Sequence, residues 1–197
     1  EPLDQFVMDE FYKPLGMRTA GFNPRRRFNK DHIVPTEQDN YFRKTLLLGY
    51  VHDQGAALVD GVSGHAGLFA SANDLAILNQ VLLNGGNYGG VEYFKPETIE
   101  LFTSHQSGVS RRGLGFDRGE GGYPSSLASS GTYGHTGYTG TCVWVDPKYK
   151  LIYIFLSNRV YPSVNNKINS LRIRPRIQDA IYEAILKGND YNVSLSK

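Results

Sequence analysis

Apolar residues recur at helical spacing at the start of the chain. Leu3, Phe6, Val7 and Phe11 share one face, with Asp4, Asp9 and Glu10 opposite. Pro2 suits a first helical turn, and Lys13-Pro14-Leu15-Gly16-Met17 stops the pattern, so a helix is predicted over 2–12. From 18 to 60 the periodicity fades, and Asn23-Pro24 and Val34-Pro35 mark turns. This stretch reads as long loops over a core, with a short helix near Asp39 to Leu47; so long a loop is uncommon unless it is functional. Ser71-Ala72-Asn73-Asp74 is a helix start, with an acid three residues after a serine cap. Leu75, Leu78, Val81 and Leu82 continue it as a stripe, and Gly85-Gly86 closes it. Pro96-Glu97 opens a further helix through Ile99, Leu101 and Phe102, and Gly113 to Phe116 reads as a short strand.

The rhythm then changes. Thr141 to Val145 and Leu151 to Ser157 are strand-like, and the short Asp146 to Lys150 connection makes them an antiparallel hairpin. Leu151-Ile-Tyr-Ile-Phe-Leu156 is apolar on both faces, the pattern of a central strand. Pro175 to Lys187 places Ile177, Ala180, Ile181, Ala184 and Ile185 on one helical face that can cover the sheet.

Composition narrows the class. At 197 residues, with 40% apolar and 20% charged, the chain can bury a sizeable core. Its 13 tyrosines and 10 phenylalanines favour extended structure and a pocket or interface wall. A net charge of +2 gives no reason to expect nucleic acid or an anionic membrane as partner. The basic runs Arg25 to Arg27 and Arg172 to Arg176 are short and read as solvated surface. The single cysteine, Cys142, cannot form an intrachain disulfide and lies in an apolar strand, as a buried inert thiol would. No run approaches the ~20 apolar residues of a membrane span. The opening Glu1-Pro2-Leu3-Asp4 is not a signal peptide and reads as the middle of a longer protein.

The chemistry concentrates in Tyr133-Gly-His135-Thr136-Gly137-Tyr138-Thr-Gly140. A glycine-rich His-Thr-Gly turn leads into a strand, and its glycines let the backbone pass close to something bulky. An imidazole and a hydroxyl stand there where a ligand carboxylate or carbonyl could meet them. The segment resembles the third signature of the serine β-lactamase and penicillin-binding-protein superfamily, which reads Lys-Thr-Gly or His-Thr-Gly. Two further stretches extend the resemblance in order. Phe11 to Thr19 is similar to the "PLGM-x-T" turn of β-lactamase-related serine hydrolases. Gly61-Val-Ser-Gly-His-Ala-Gly-Leu-Phe-Ala-Ser-Ala-Asn-Asp-Leu-Ala76 is similar to their glycine-rich central segment. Together they cover nearly all of residues 1 to 187.

The resemblance implies an α+β, β-lactamase/transpeptidase-like fold that is incomplete. Residues 1–132 would form a mostly helical and loop region, 133–188 the antiparallel strands and terminal helix, and 189–197 a tail. It implies hydrolysis of an amide or ester by an acyl-enzyme, on a β-lactam, a D-alanyl peptide or a small ester, with no cofactor and no metal. His135 takes the place of the motif lysine, as a cation or donor near a substrate carboxylate. Thr136 and Gly137 line the same strand toward substrate. The backbone N–H of Tyr138 would be half of an oxyanion hole. The superfamily also needs a Ser-x-x-Lys nucleophile and a Ser/Tyr-x-Asn motif, and neither occurs in a usable place. The chain therefore reads as starting just after the tyrosine motif, with the N-terminal part of the same domain as its partner. Leu151 to Ser157 would then have an open side, able to self-associate. The resemblance suggests the periplasm or cell surface of a bacterium. The competing reading is a β-lactamase-like module without catalysis that binds cell-wall peptides.

Other constellations read blandly. Gly61-Val-Ser63-Gly-His65 approaches a nucleophile elbow, but His65 fills its last glycine position. His52, Asp53, Asp60 and His65 lack metal-ligand spacing, and a His52-Asp53 hydrogen bond holding a loop is expected instead. Ser194 to Lys197 is formally Ser-x-x-Lys at a frayed end. Gly119 to Gly122 lacks the Gly-Lys-Ser/Thr of a phosphate loop.

Overall fold

The computed structural model describes residues 1–195, with side chains described through Gly188. Helix α1 (Leu3–Val7) runs on as a π-helical stretch, Met8–Tyr12. It ends where Pro14 and the left-handed Gly16 (φ +72°) stop the ladder. Tyr12, Leu15, Met17 and Ala20 are buried against Val81 of α3 (Ala72–Leu83) and form the first core cluster. Ser71 caps α3 by accepting the Asp74 N–H. The Asp74 carboxylate in turn accepts the N–H groups of Thr19 (2.6 Å) and Ala20 (2.8 Å) and the Thr19 hydroxyl (2.6 Å). Burial raises the pKa of this carboxyl, but the Thr19 and Ala20 hydrogen bonds outweigh it and hold it below the usual range.

The 18–60 stretch is more ordered than its sequence suggests. In place of the short helix expected near Asp39 to Leu47 there is a hairpin, β1 (Pro35–Asp39) paired antiparallel with β2 (Thr45–Leu48). Asp39 redirects the chain, because its carboxylate accepts the N–H groups of Tyr41, Phe42 and Arg43, each at 2.9 Å. Lys44 then adopts a left-handed φ of 52°, which no helix continues. A short helix, α2 (Gln54–Leu58), follows, capped by Asp53.

After α3 come the two-residue strands β3 (Asn87–Tyr88) and β4 (Val91–Glu92), and then helix α4 (Pro96–Thr103). The strand expected at Gly113 to Phe116 lies just beyond it, as β5 (Asp117–Arg118). The main sheet runs β5–β6–β7–β8, all antiparallel, with β6 (Tyr133–Thr136), β7 (Cys142–Asp146) and β8 (Leu151–Phe155). Helix α5 spans Ile173–Leu195, further than the Pro175 to Lys187 read from the pattern and into the segment read as a tail. The Ser194 to Lys197 quartet reaches outside the described residues.

The second core cluster is Cys142, Trp144 and Tyr153, with Tyr123, Phe155 and Ile181 packed against it. Burial pushes the Cys142 thiol up to about 11, so it is an inert packing group. Helix α5 is tied to β7 by a buried hydrogen bond of 2.6 Å from the Tyr182 phenol to the Asp146 carboxylate. Ser129 adds its N–H (2.9 Å) and hydroxyl (2.6 Å) to the same carboxylate.

Candidate active site

His135 and Thr136 form the last half of β6 rather than a turn, paired with Val143 and Cys142. Their order comes from β7: Gly134 lies opposite Trp144, and a Cβ there would clash with the Val143 carbonyl and the indole. The turn begins at Gly137, whose N–H donates to Thr141 O at 2.8 Å. Gly140 closes it onto Gly137 O at 3.1 Å. The N–H of Tyr138 takes no part in that closure, and the Tyr138 side chain is exposed. The four residues singled out in sequence, His135, Thr136, Gly137 and Tyr138, thus sit together at one end of the main sheet.

His135 is exposed, and its ring has two partners. Nε2 lies 2.5 Å from an Arg112 guanidinium nitrogen, and Nδ1 lies 2.7 Å from the Thr136 carbonyl. A guanidinium only donates and a carbonyl only accepts. With these partners Nε2 accepts and Nδ1 donates. The strand end thus carries the Arg112 guanidinium directly beside the His135 ring.

Arg112 is a candidate site residue that sequence reading missed. Its neighbour Arg111 makes a bidentate pair with buried Asp117 (2.6 and 2.9 Å) and lies over the Tyr123 ring, 4.2 Å from its centroid. Asp117 pairs with Gly134 across β5 and β6, one residue from His135. Burial raises the Asp117 carboxyl, but the Arg111 pair outweighs it and keeps the group ionised. An Arg-Arg pair before a glycine run was the available signal. The β5–β6 register that carries it to His135 was not.

The other candidates disperse. His52 faces Glu37 (3.4 Å) and lies tilted against the Tyr138 ring (centroids 5.1 Å apart), so the expected His52-Asp53 pair does not form. Asp53 instead caps α2, accepting the Ala56 N–H at 2.7 Å, and accepts from His65 at 3.0 Å. The Ala56 bond, then the His65 bond, lowers its pKa. Ser63 Oγ is 2.8 Å from the second ring nitrogen of His65. This Ser63–His65–Asp53 chain is open to solvent, and no strand leads into it, as an elbow nucleophile would need. Asp60 pairs with Arg26. Among the described residues no three His, Cys, Asp or Glu side chains gather as a metal site would require.

The sequence profile of the family described as "Beta-lactamase" matches residues 1–176. A "Putative D-alanyl-D-alanine carboxypeptidase" of Escherichia coli K12 is 39% identical over 181 residues, covering 83% of this chain and 42% of that protein. Among solved structures, a beta-lactamase from Mycobacterium bovis superposes with a TM-score of 0.59 at 21% identity, over 92% of this chain and 56% of that one. Simvastatin synthase from Aspergillus terreus superposes with a TM-score of 0.61 at 16% identity, over 91% and 48%. Likenesses at such identities speak for the fold, which is α+β and β-lactamase/transpeptidase-like. The chain spans less than half the length of the E. coli relative.

Proposed function

The chain belongs to the beta-lactamase family, and on that premise we propose that it is the C-terminal portion of a serine hydrolase that cleaves a D-alanyl peptide through an acyl-enzyme. The nucleophile, a Ser-x-x-Lys serine, lies upstream of this chain. The serine oxygen adds to the scissile carbonyl as its proton passes to the paired lysine. The tetrahedral oxyanion rests on the N–H of Tyr138 and on the N–H of the serine itself, where each preorganised donor supplies ~3 kcal/mol. The C–N bond breaks, the departing D-alanine takes up the proton, and water releases the acyl group.

One observation carries the choice of substrate class. Arg112 stands 2.5 Å from His135 at the exposed strand end that leads to Tyr138, and this supports a cation near the proposed oxyanion donor. A D-alanyl peptide ends in a free carboxylate, and guanidinium–carboxylate pairing is strong and directional. The E. coli relative's name points the same way. A cell-wall peptide substrate also places the protein in the periplasm or at the cell surface.

The test is D-alanine release by the full-length protein from an acylated Lys-D-Ala-D-Ala peptide, with covalent labelling by fluorescent penicillin. Release that penicillin blocks is expected. Peptide binding with neither release nor labelling would replace this reading with that of a non-catalytic binding module.

A further inference from the structure

We propose that Arg159 and His52 are positioning residues that hold Tyr138 from two sides and so aim its backbone N–H. This inference rests on the acyl-enzyme reading above. Arg159 follows β8 and reaches back to the turn between β6 and β7. Its Nε and Nη2 both donate to the Tyr138 carbonyl, at 3.0 and 2.8 Å. Its guanidinium also covers the Tyr138 ring, 4.7 Å from the centroid. Its backbone N–H donates to the Thr139 carbonyl at 2.7 Å. One residue therefore fixes the carbonyl, the ring and the next peptide of the turn.

The neighbourhood is built to keep that grip. Ser157 donates to the Gly140 carbonyl at 2.9 Å. Gly140 sits at φ +110°, where a Cβ would come within 2.6 Å of the Arg159 Cβ, so the turn and the arginine backbone are packed together. Asn166 donates to the Arg159 carbonyl at 2.6 Å, and Asn158 donates to the Pro35 carbonyl at 3.2 Å. The second bond ties this segment to β1. From β1, Glu37 faces the His52 ring at 3.4 Å, and that ring lies tilted against Tyr138. The Tyr138 side chain is otherwise exposed, so an arginine and an imidazole brought from distant positions are what restrain it.

A donor aimed at developing charge must not reorganise during the reaction, and small misplacements are costly. Neither Arg159 nor His52 needs to touch substrate to matter. Freed of them, Tyr138 would sample other orientations and the N–H would swing off the oxyanion.

The experiment uses the full-length protein with Arg159→Ala, Arg159→Lys and His52→Ala, reading amide hydrogen exchange and steady-state kinetics together. In Arg159→Ala, exchange across 137–141 is expected to rise while 142–146 stays protected. The kcat is expected to fall by about 10- to 100-fold with KM nearly unchanged. Arg159→Lys, which keeps a donor but not the planar fork, recovers part of both, and it carries the test if the alanine variant does not fold. His52→Ala shows a smaller effect of the same kind. Unchanged exchange in Arg159→Ala would overturn the clamp. A loosened turn with wild-type kcat, or a loss confined to KM, would overturn the positioning role. A wild-type protein without turnover would instead sink the acyl-enzyme reading, and with it any positioning role, while exchange still decides whether the clamp exists.

Discussion

Arg112 donates to Nε2 of His135 across 2.5 Å, while Nδ1 of the same ring is engaged by the Thr136 carbonyl. On the proposed reading, the pair would stand in for the lysine of the related motif, with the guanidinium as the charge and the imidazole as its neighbour. Arg112→Ala in the full-length protein is therefore expected to lower kcat/KM for D-alanyl peptides by about 10- to 100-fold, the range for losing a hydrogen bond to a charged group. Small esters without a carboxylate should be much less affected. His135→Ala should lower kcat/KM for the peptide while the thermal midpoint stays near wild type, because the ring is exposed. Equal losses on both substrates in Arg112→Ala would show that the guanidinium does not read a carboxylate.

The 197-residue chain expressed alone is expected to turn over neither chromogenic cephalosporins nor p-nitrophenyl esters. Ser63, which has the His65 imidazole in reach, lies on a solvated loop where Asp53 caps α2. Incubation with a fluorophosphonate and peptide mapping checks this. Ester turnover together with a label on Ser63 that Ser63→Ala removes would make the Ser63–His65–Asp53 chain a working triad.

Asp74 joins the start of α3 to the turn after the first helix, and its depressed pKa carries a signed consequence. A carboxyl lowered on folding contributes stability that is fully present above its unfolded value of ~3.9 and is lost as pH falls through the folded value. Asp74→Asn should destabilise the protein by about 1–3 kcal/mol at pH 7, the cost of a compromised buried acceptor. The gap to wild type should narrow below pH ~4. Urea midpoints at the two pH values test it. A gap that does not change with pH would mean that Asp74 acts through shape alone.

Some of this was written plainly in the sequence. The Ser71 cap, the stripe through Val81 and the Gly85-Gly86 stop are local signals, and α3 follows them. The hairpin of β7 and β8 is equally local. The β1–β2 hairpin was hidden because its cause is a single carboxylate, Asp39, collecting three N–H groups that a pattern of apolar positions does not register. His135 to Tyr138 could be picked out because the chemistry is contiguous. Arg112 and Arg159 could not, and His52 was read only as a partner of Asp53, since each reaches Tyr138 or His135 through a register, a long-range hydrogen bond or a ring contact: Asp117 opposite Gly134, Arg159 on Tyr138 O, His52 against the Tyr138 ring.

Gly134 tests the strand that presents the site. Any side chain there would strike the Val143 carbonyl and the Trp144 indole, both part of the packed sheet. Gly134→Ala should cost about 1–3 kcal/mol by overpacking and shift β6 away from β7. A lower urea midpoint with a perturbed Trp144 fluorescence spectrum is the expected result, Trp144 being the single tryptophan. Wild-type stability and fluorescence would mean that β6 and β7 separate easily there.

Among the described residues β8 pairs with β7 alone, so its other side presents unpaired N–H and C=O groups. Leu151, Ile152, Ile154 and Phe155 are only half-buried, and Leu156 is 40% exposed beside them. An apolar strand with an open edge is a template for pairing with another chain. The 197-residue chain alone is therefore expected to dimerise or aggregate through β8, and an added N-terminal part of the same domain should suppress this by covering the edge. Sedimentation velocity across a concentration series reads the first effect, and amide exchange at Ile152, Ile154 and Leu156 the second. Replacing Ile154 with lysine places a charge in the strand, a common device against edge pairing, and should restore the monomer. A monomer at all concentrations, with those three amides strongly protected, would show that the chain covers the edge of β8 by itself.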